Sequence, residues 1–133
     1  ERQRAAGEAS DRGENQWLPP IRIELNRLEA LEGSCRVYLV IGHGRAESLN
    51  SLKLDLVLFG RDGVIDRRIA VETGPLHAAK TTVKLFDVAD YGCAELGSVL
   101  VNDVLACESE AGTVPACLAT LQLATRAPAA LTR

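Results

Sequence analysis

The chain has 133 residues, a formal net charge of −3 and 47% hydrophobic content, enough for one domain around a single core. Its lysines and arginines are scattered, which excludes the basic footprint of a nucleic-acid or anionic-membrane binder. No apolar run approaches the roughly 20 residues of a membrane-spanning helix, and with aromatics at 4% the core has to come from Leu, Val, Ile and Ala.

Residues 1–16 are polar, mixed in charge and without an apolar period, so a leader or linker is expected over 1–18. Residue 1 is Glu and no Met occurs, so residue 1 is not a translation start; a cleaved export signal is the simplest expectation. Trp17-Leu18-Pro19-Pro20 reads as an extended segment, because proline disfavours helix for itself and its predecessor. A domain is expected over 19–126. Ile21, Ile23 and Leu25 alternate with Arg22, Glu24 and Asn26, which predicts a half-buried strand. Residues 28–32 fit either its continuation or a helical turn. Gly33-Ser34 turns the chain, and 35–41, rich in β-branched residues, predicts a second strand. Gly42-His43-Gly44 opens a loop to about Asn50.

Residues 51–71 carry the clearest pattern. Leu52, Leu54, Leu56 and Leu58 alternate with Lys53, Asp55, Val57 and Phe59, laying four leucines on one strand face. Arg61-Asp62-Gly63 breaks the run, and Val64 to Val71 reads as the returning strand of a hairpin. Residues 81–88 predict a fifth strand with Val83 and Leu85 on one face. Residues 89–96 suit a short turn or helix, 98–107 a sixth strand and 117–125 a seventh with Leu121 and Leu123 inward. Residues 127–133 read as a tail. Seven short strands separated by turns, without alternating helices, predict an all-β fold: an antiparallel β-sandwich of Ig-like type.

Four cysteines lack any CxxC spacing, which favours disulfides in an oxidising compartment over zinc or redox motifs. If successive connections fall at alternate ends, Cys35 and Cys93 share one end and Cys107 and Cys117 the other. Pairing Cys93 with Cys107 would join opposite ends of a strand about 30 Å long, so Cys35–Cys93 and Cys107–Cys117 are expected.

Chemistry is sparse. End-counting places His43 and His77 at the Cys107/Cys117 end with Glu108 and Glu110, where a metal site could form; two exposed loop histidines are the plainer reading. No GxSxG, Walker loop or complete GxGxxG occurs, so neither an enzyme nor a cofactor is expected. Binding has a better case. Tyr38, Val40, Val57 and Phe59 fall on the outward sides of strands two and three, where polar residues are usual. They could be a covered second face, a partner surface or scattered exposure.

From Asn50 to Val88 the pattern resembles the FxLYD-type Ig-like modules of exported bacterial proteins. The match lies in an alternating LKLDLVLF strand, a Gly-Arg-Asp-Gly turn, a Gly-Pro-Leu connection and a strand ending in Leu85-Phe86-Asp87. The wider span also resembles small cysteine-bearing exported proteins of alphaproteobacteria described as Tat-signal-sequence proteins. The resemblance implies a periplasmic or secreted, non-enzymatic accessory module. Its expected partner is a protein of the cell envelope, with the chain serving as a subunit of a larger complex, without nucleic acid or a membrane span.

Overall fold

A computed structural model describes residues 20–133; the expected leader over 1–18, with Trp17, lies outside the described residues. The predicted hairpin is present as β3 (Leu49–Gly60) and β4 (Ile65–Glu72). Leu52, Leu54, Leu56 and Leu58 all point inward and are fully buried, as a period of two requires when one sheet face is covered. In the turn, the Gly60 N–H donates to the Val64 carbonyl at 2.8 Å and the Gly63 N–H to the Gly60 carbonyl at 3.0 Å. Gly63 sits at φ +83°, a conformation that costs glycine nothing.

β3 also pairs with β6 (Leu96–Ser109), giving a sheet in the order β4-β3-β6. The far side of β6 is shared by β7 (Gly112–Thr113) at one end and β9 (Ala130–Thr132) at the other. The second sheet runs β5-β2-β1-β8, from β5 (Lys80–Ala89), β2 (Ser34–His43), β1 (Ile21–Leu31) and β8 (Leu121–Thr125). The inner faces of both sheets contribute to one hydrophobic cluster, with Ile21, Ile23, Leu25, Val37, Leu39 and Ile41 meeting the β3 leucines, Val99 and Val101. The all-β sandwich is thus the observed fold.

Its pairing departs from the expected antiparallel order at two places. β1 pairs with β8, and β6 with β9, in parallel. Both β8 and β9 reach their sheet by crossing from the other one, so no hairpin imposes antiparallel direction. The expected tail at 127–133 holds β9, with Ala129 and Leu131 buried; three paired residues are too few to carry a period. The expected seventh strand begins instead as a helical turn, α1 (Cys117–Thr120), entered through Ala116 at φ +60°.

The ambiguity at 28–32 resolves as strand as far as Leu31, with Glu32 already in the turn. A bulge between Leu25 and Arg27 shifts the register of β1 against β2 by one residue. The inward position therefore passes from Ile21, Ile23 and Leu25 to Leu28, which stands opposite Val37 and packs against the core. The break in alternation is the bulge itself.

Both disulfides form in the expected pairing. Cys35–Cys93 spans 58 residues and ties the start of β2 to the 3₁₀ turn Cys93–Glu95 that precedes β6. Cys107–Cys117 spans 10 residues and ties β6 to α1 at the other pole. That pole also gathers the loops after β2 and β4: Leu49 and Leu76 exchange backbone hydrogen bonds at 2.9 and 2.8 Å, and the buried Arg45 donates to Thr120 Oγ1 at 2.8 Å.

Candidate interaction face

The four apolar residues singled out from the sequence do not form one patch. Tyr38 and Val40 lie on the outer face of the β5-β2-β1-β8 sheet, Val57 and Phe59 on the outer face of the β4-β3-β6 sheet. The two sheets turn these faces away from one another, because both present their other side to the shared core.

The face bearing Val57 is closed over at its middle. Asp55, beside it on the same side of β3, is only 3% exposed. Its Oδ1 accepts from Arg68 Nε at 3.0 Å, and its Oδ2 accepts from Arg68 Nη2 at 2.8 Å and Asn102 Nδ2 at 3.0 Å. The two-pronged bond from Arg68, aided by Asn102, holds the Asp55 carboxyl down at about 2. Val57, flanked by Arg68 and Leu100 on the neighbouring strands, is itself buried. Arg68 and Asn102 thus cover the middle of this face, while Ile65, opposite Phe59, stays 59% exposed.

The face bearing Tyr38 and Val40 is open. In the register of β2 and β5, Val40 stands opposite Val83 and Tyr38 opposite Leu85. Val83 is 55% and Leu85 43% exposed, while Phe86 and Val88, at the alternate positions, pack toward the core. The four outward residues make a contiguous apolar strip across two strands. Fixed polar contacts border it. Tyr38 OH donates to Glu29 Oε1 at 2.6 Å, and the Arg27 guanidinium lies 5.6 Å from the centre of the Tyr38 ring. Next along, Arg36 grips Asp87 through two bonds of 2.8 and 3.1 Å, which lowers the Asp87 carboxyl. Glu29 raises the Tyr38 hydroxyl, so that the ring stays neutral and donating. At the other end of the strip Glu24 bonds Asn26 and Arg126, at 2.9 and 3.0 Å.

Beyond Val40 and Val83 the surface dips into a hollow of about 450 Å³ lined by Pro20, Arg22, Gly42, Lys80 and Thr81 among others. A Cβ at Gly42 would meet Arg22 Cβ at 3.8 Å and its Cδ at 3.9 Å, an ordinary contact distance. The Arg22 stem therefore crosses over Gly42.

The fold is similar to that of IrmA from Escherichia coli. The alignment covers 78% of this chain and 90% of that one at a TM-score of 0.58 and 17% sequence identity, a likeness of fold alone. No family model and no curated protein matches the chain. The two disulfides fit a protein that folds outside the reducing cytoplasm, and no helix among the described residues is long and apolar enough to cross a membrane.

Of the two histidines, His43 departs from the sequence reading. His43 is the last residue of β2 rather than part of an exposed loop, and it is buried. Its Nε2 lies 2.6 Å from the Glu47 carbonyl oxygen, and its Nδ1 is buried without a hydrogen-bond partner. His77 is exposed. Among the described residues no three His, Cys, Asp or Glu side chains converge as metal ligands, Glu108 and Glu110 included.

The sequence reading missed Val83 and Leu85 as surface residues, since 81–88 is apolar on both of its faces. It also missed Arg22 and Lys80, because two isolated cations in different strands carry no motif. Only the register of β1, β2 and β5 puts them together.

Proposed function

We propose that this chain is an exported, non-enzymatic accessory module that binds a protein partner in the periplasm or outside the cell. The partner surface is the outer face of the β5-β2-β1-β8 sheet. The observation that carries this reading is the strip of Tyr38, Val40, Val83 and Leu85, where two of the four side chains are largely open to water. Soluble monomers seldom leave such groups contiguous unless something covers them. The bordering pairs, Arg27 with Tyr38 and Arg36 with Asp87, give the strip the polar rim that interfaces share.

Export is supported by the two disulfides and by the resemblance of the hairpin sequence to FxLYD-type exported modules. A binding role is favoured over catalysis because the face offers apolar area and rim charges, with no nucleophile and base set against each other.

The test is a double substitution, Val83→Ser with Leu85→Ser. Surface changes of this kind should alter stability by less than about 0.5 kcal/mol each, so the melting curve should hardly move. Co-purification of an envelope partner with the tagged protein should be lost. Retention of the same partner by a folded double variant would exclude this face.

A further inference from the structure

β5 is the least protected edge of the molecule. At the other side of its sheet β8 is five residues long, and Arg126, just beyond it, is tied to Glu24. In the second sheet β4 carries Asp66, Arg67, Arg68 and Glu72, and Arg67 reaches across to the carbonyls of Ala89 and Asp90 at 2.7 and 2.9 Å. Charges, bulges, prolines and shortness are the devices that keep further strands from adding to an edge. β5 runs ten residues in unbroken register along β2, with neither bulge nor proline. Its free side meets no other strand among the described residues. Asp87 is already engaged by Arg36, which leaves Lys84 as the charge at mid-strand.

The hollow lies at the end where β5 begins. Arg22 and Lys80 contribute its full charges, Thr81 a hydroxyl, and no carboxylate is in the lining. An apolar strip, an edge strand with one neighbour and a cationic hollow thus adjoin one another at β5.

We propose that the β5 edge receives the C-terminal segment of a protein partner as an added antiparallel strand, with its terminal carboxylate in the Arg22–Lys80 hollow. This rests on the partner-face reading above and names the chemistry of the partner. Antiparallel addition sends the incoming C-terminus toward Lys80, because β5 starts there. With the last residue opposite Thr81, the third and fifth from the end fall beside Val83 and Leu85 on the outer face. The fourth from the end falls opposite Lys84. The segment is therefore apolar at its third and fifth positions from the end and acidic at its fourth. Backbone pairing supplies affinity, alternate side chains supply selectivity, and a charge-assisted bond to Arg22 and Lys80 separates a chain end from an internal strand.

The probe is the peptide acetyl-Thr-Val-Glu-Val-Thr-Val, made once with a free C-terminal carboxylate and once as the amide, titrated into ¹⁵N-labelled protein. The free acid should shift the amides of β5 and Gly42 in a saturable way, and the amide form should bind about tenfold more weakly or worse. An Arg22→Gln, Lys80→Gln double variant should weaken the acid to the level of the amide and leave the amide unchanged. Equal binding of both forms at β5 would overturn the carboxylate site while leaving the face reading intact. Shifts confined to other surfaces, or none at all, would overturn both. Perturbation of β5 amides on dilution of the protein alone would assign the edge to a second copy of this chain and overturn the proposal.

Discussion

Asp55 is the residue whose charge the fold uses most visibly. It sits on β3 between two bulges in the β3–β6 register, where the strand pairing yields enough room for Asn102 to reach it. Arg68 is its first partner and Asn102 its second, and together they depress its titration to about 2. An unfolded aspartate titrates near 3.9, so the folded state binds this proton less readily than the unfolded state. The stabilisation is complete above about pH 4 and is lost as pH falls toward 2. Asp87, depressed by Arg36, and Glu24, depressed first by Asn26, act in the same direction. Urea midpoints measured from pH 7 to pH 2 should therefore be level at first and fall below pH 4. Asp55→Asn should lower the neutral plateau and flatten the fall; an acid limb as steep as the parent's would mean that Asp55 is not what titrates there. Nothing in the alternation of residues 51–59 marks Asp55 as buried. It occupies an outward position, and its burial depends on Arg68 and Asn102, 13 and 47 residues away.

Among the elements, the two disulfides hold the poles and differ in the length of chain that they close. The chain-entropy relation gives about 4 kcal/mol for a 58-residue loop and about 2.7 kcal/mol for a 10-residue one. Replacing Cys35 and Cys93 together by Ser should thus lower the melting temperature more than replacing Cys107 and Cys117, by a few degrees in a domain of this size. Equal losses in calorimetry would place the stabilisation in local packing rather than in loop closure. The pairing was legible in the sequence because it needed only the ends of strands, which the turns at Gly33 and Gly63 and the connections between them mark out. The elements that were not legible are those whose pattern is interrupted or too short. A one-residue bulge in β1 hid a continuous strand, a single left-handed residue, Ala116, turned the start of the last expected strand into α1, and β9 is three residues long.

For the whole molecule, a leucine at every second position of β3 was enough to imply two layers, because only a facing sheet can cover such a row. It could not say which outer face is open. Val57 looked as exposed as Tyr38 and Val40 until Arg68 and Asn102 were seen to close over Asp55 beside it, while Phe59 stays half-buried and Val83 and Leu85 lie exposed. The two outer surfaces therefore differ: Arg68 and Asn102 cover Asp55 and Val57 on one, with Ile65 exposed toward its edge, and the other presents Val83 and Leu85 on a strand that has no second neighbour among the described residues. Photo-crosslinking in the native envelope measures this asymmetry directly. A photoreactive side chain at Leu85, on the proposed partner face, should yield one discrete adduct with a protein partner, and the same group at Ala70, on the opposite outer face, should yield none. Adducts from Ala70 alone, or in equal amount from both positions, would contradict the account.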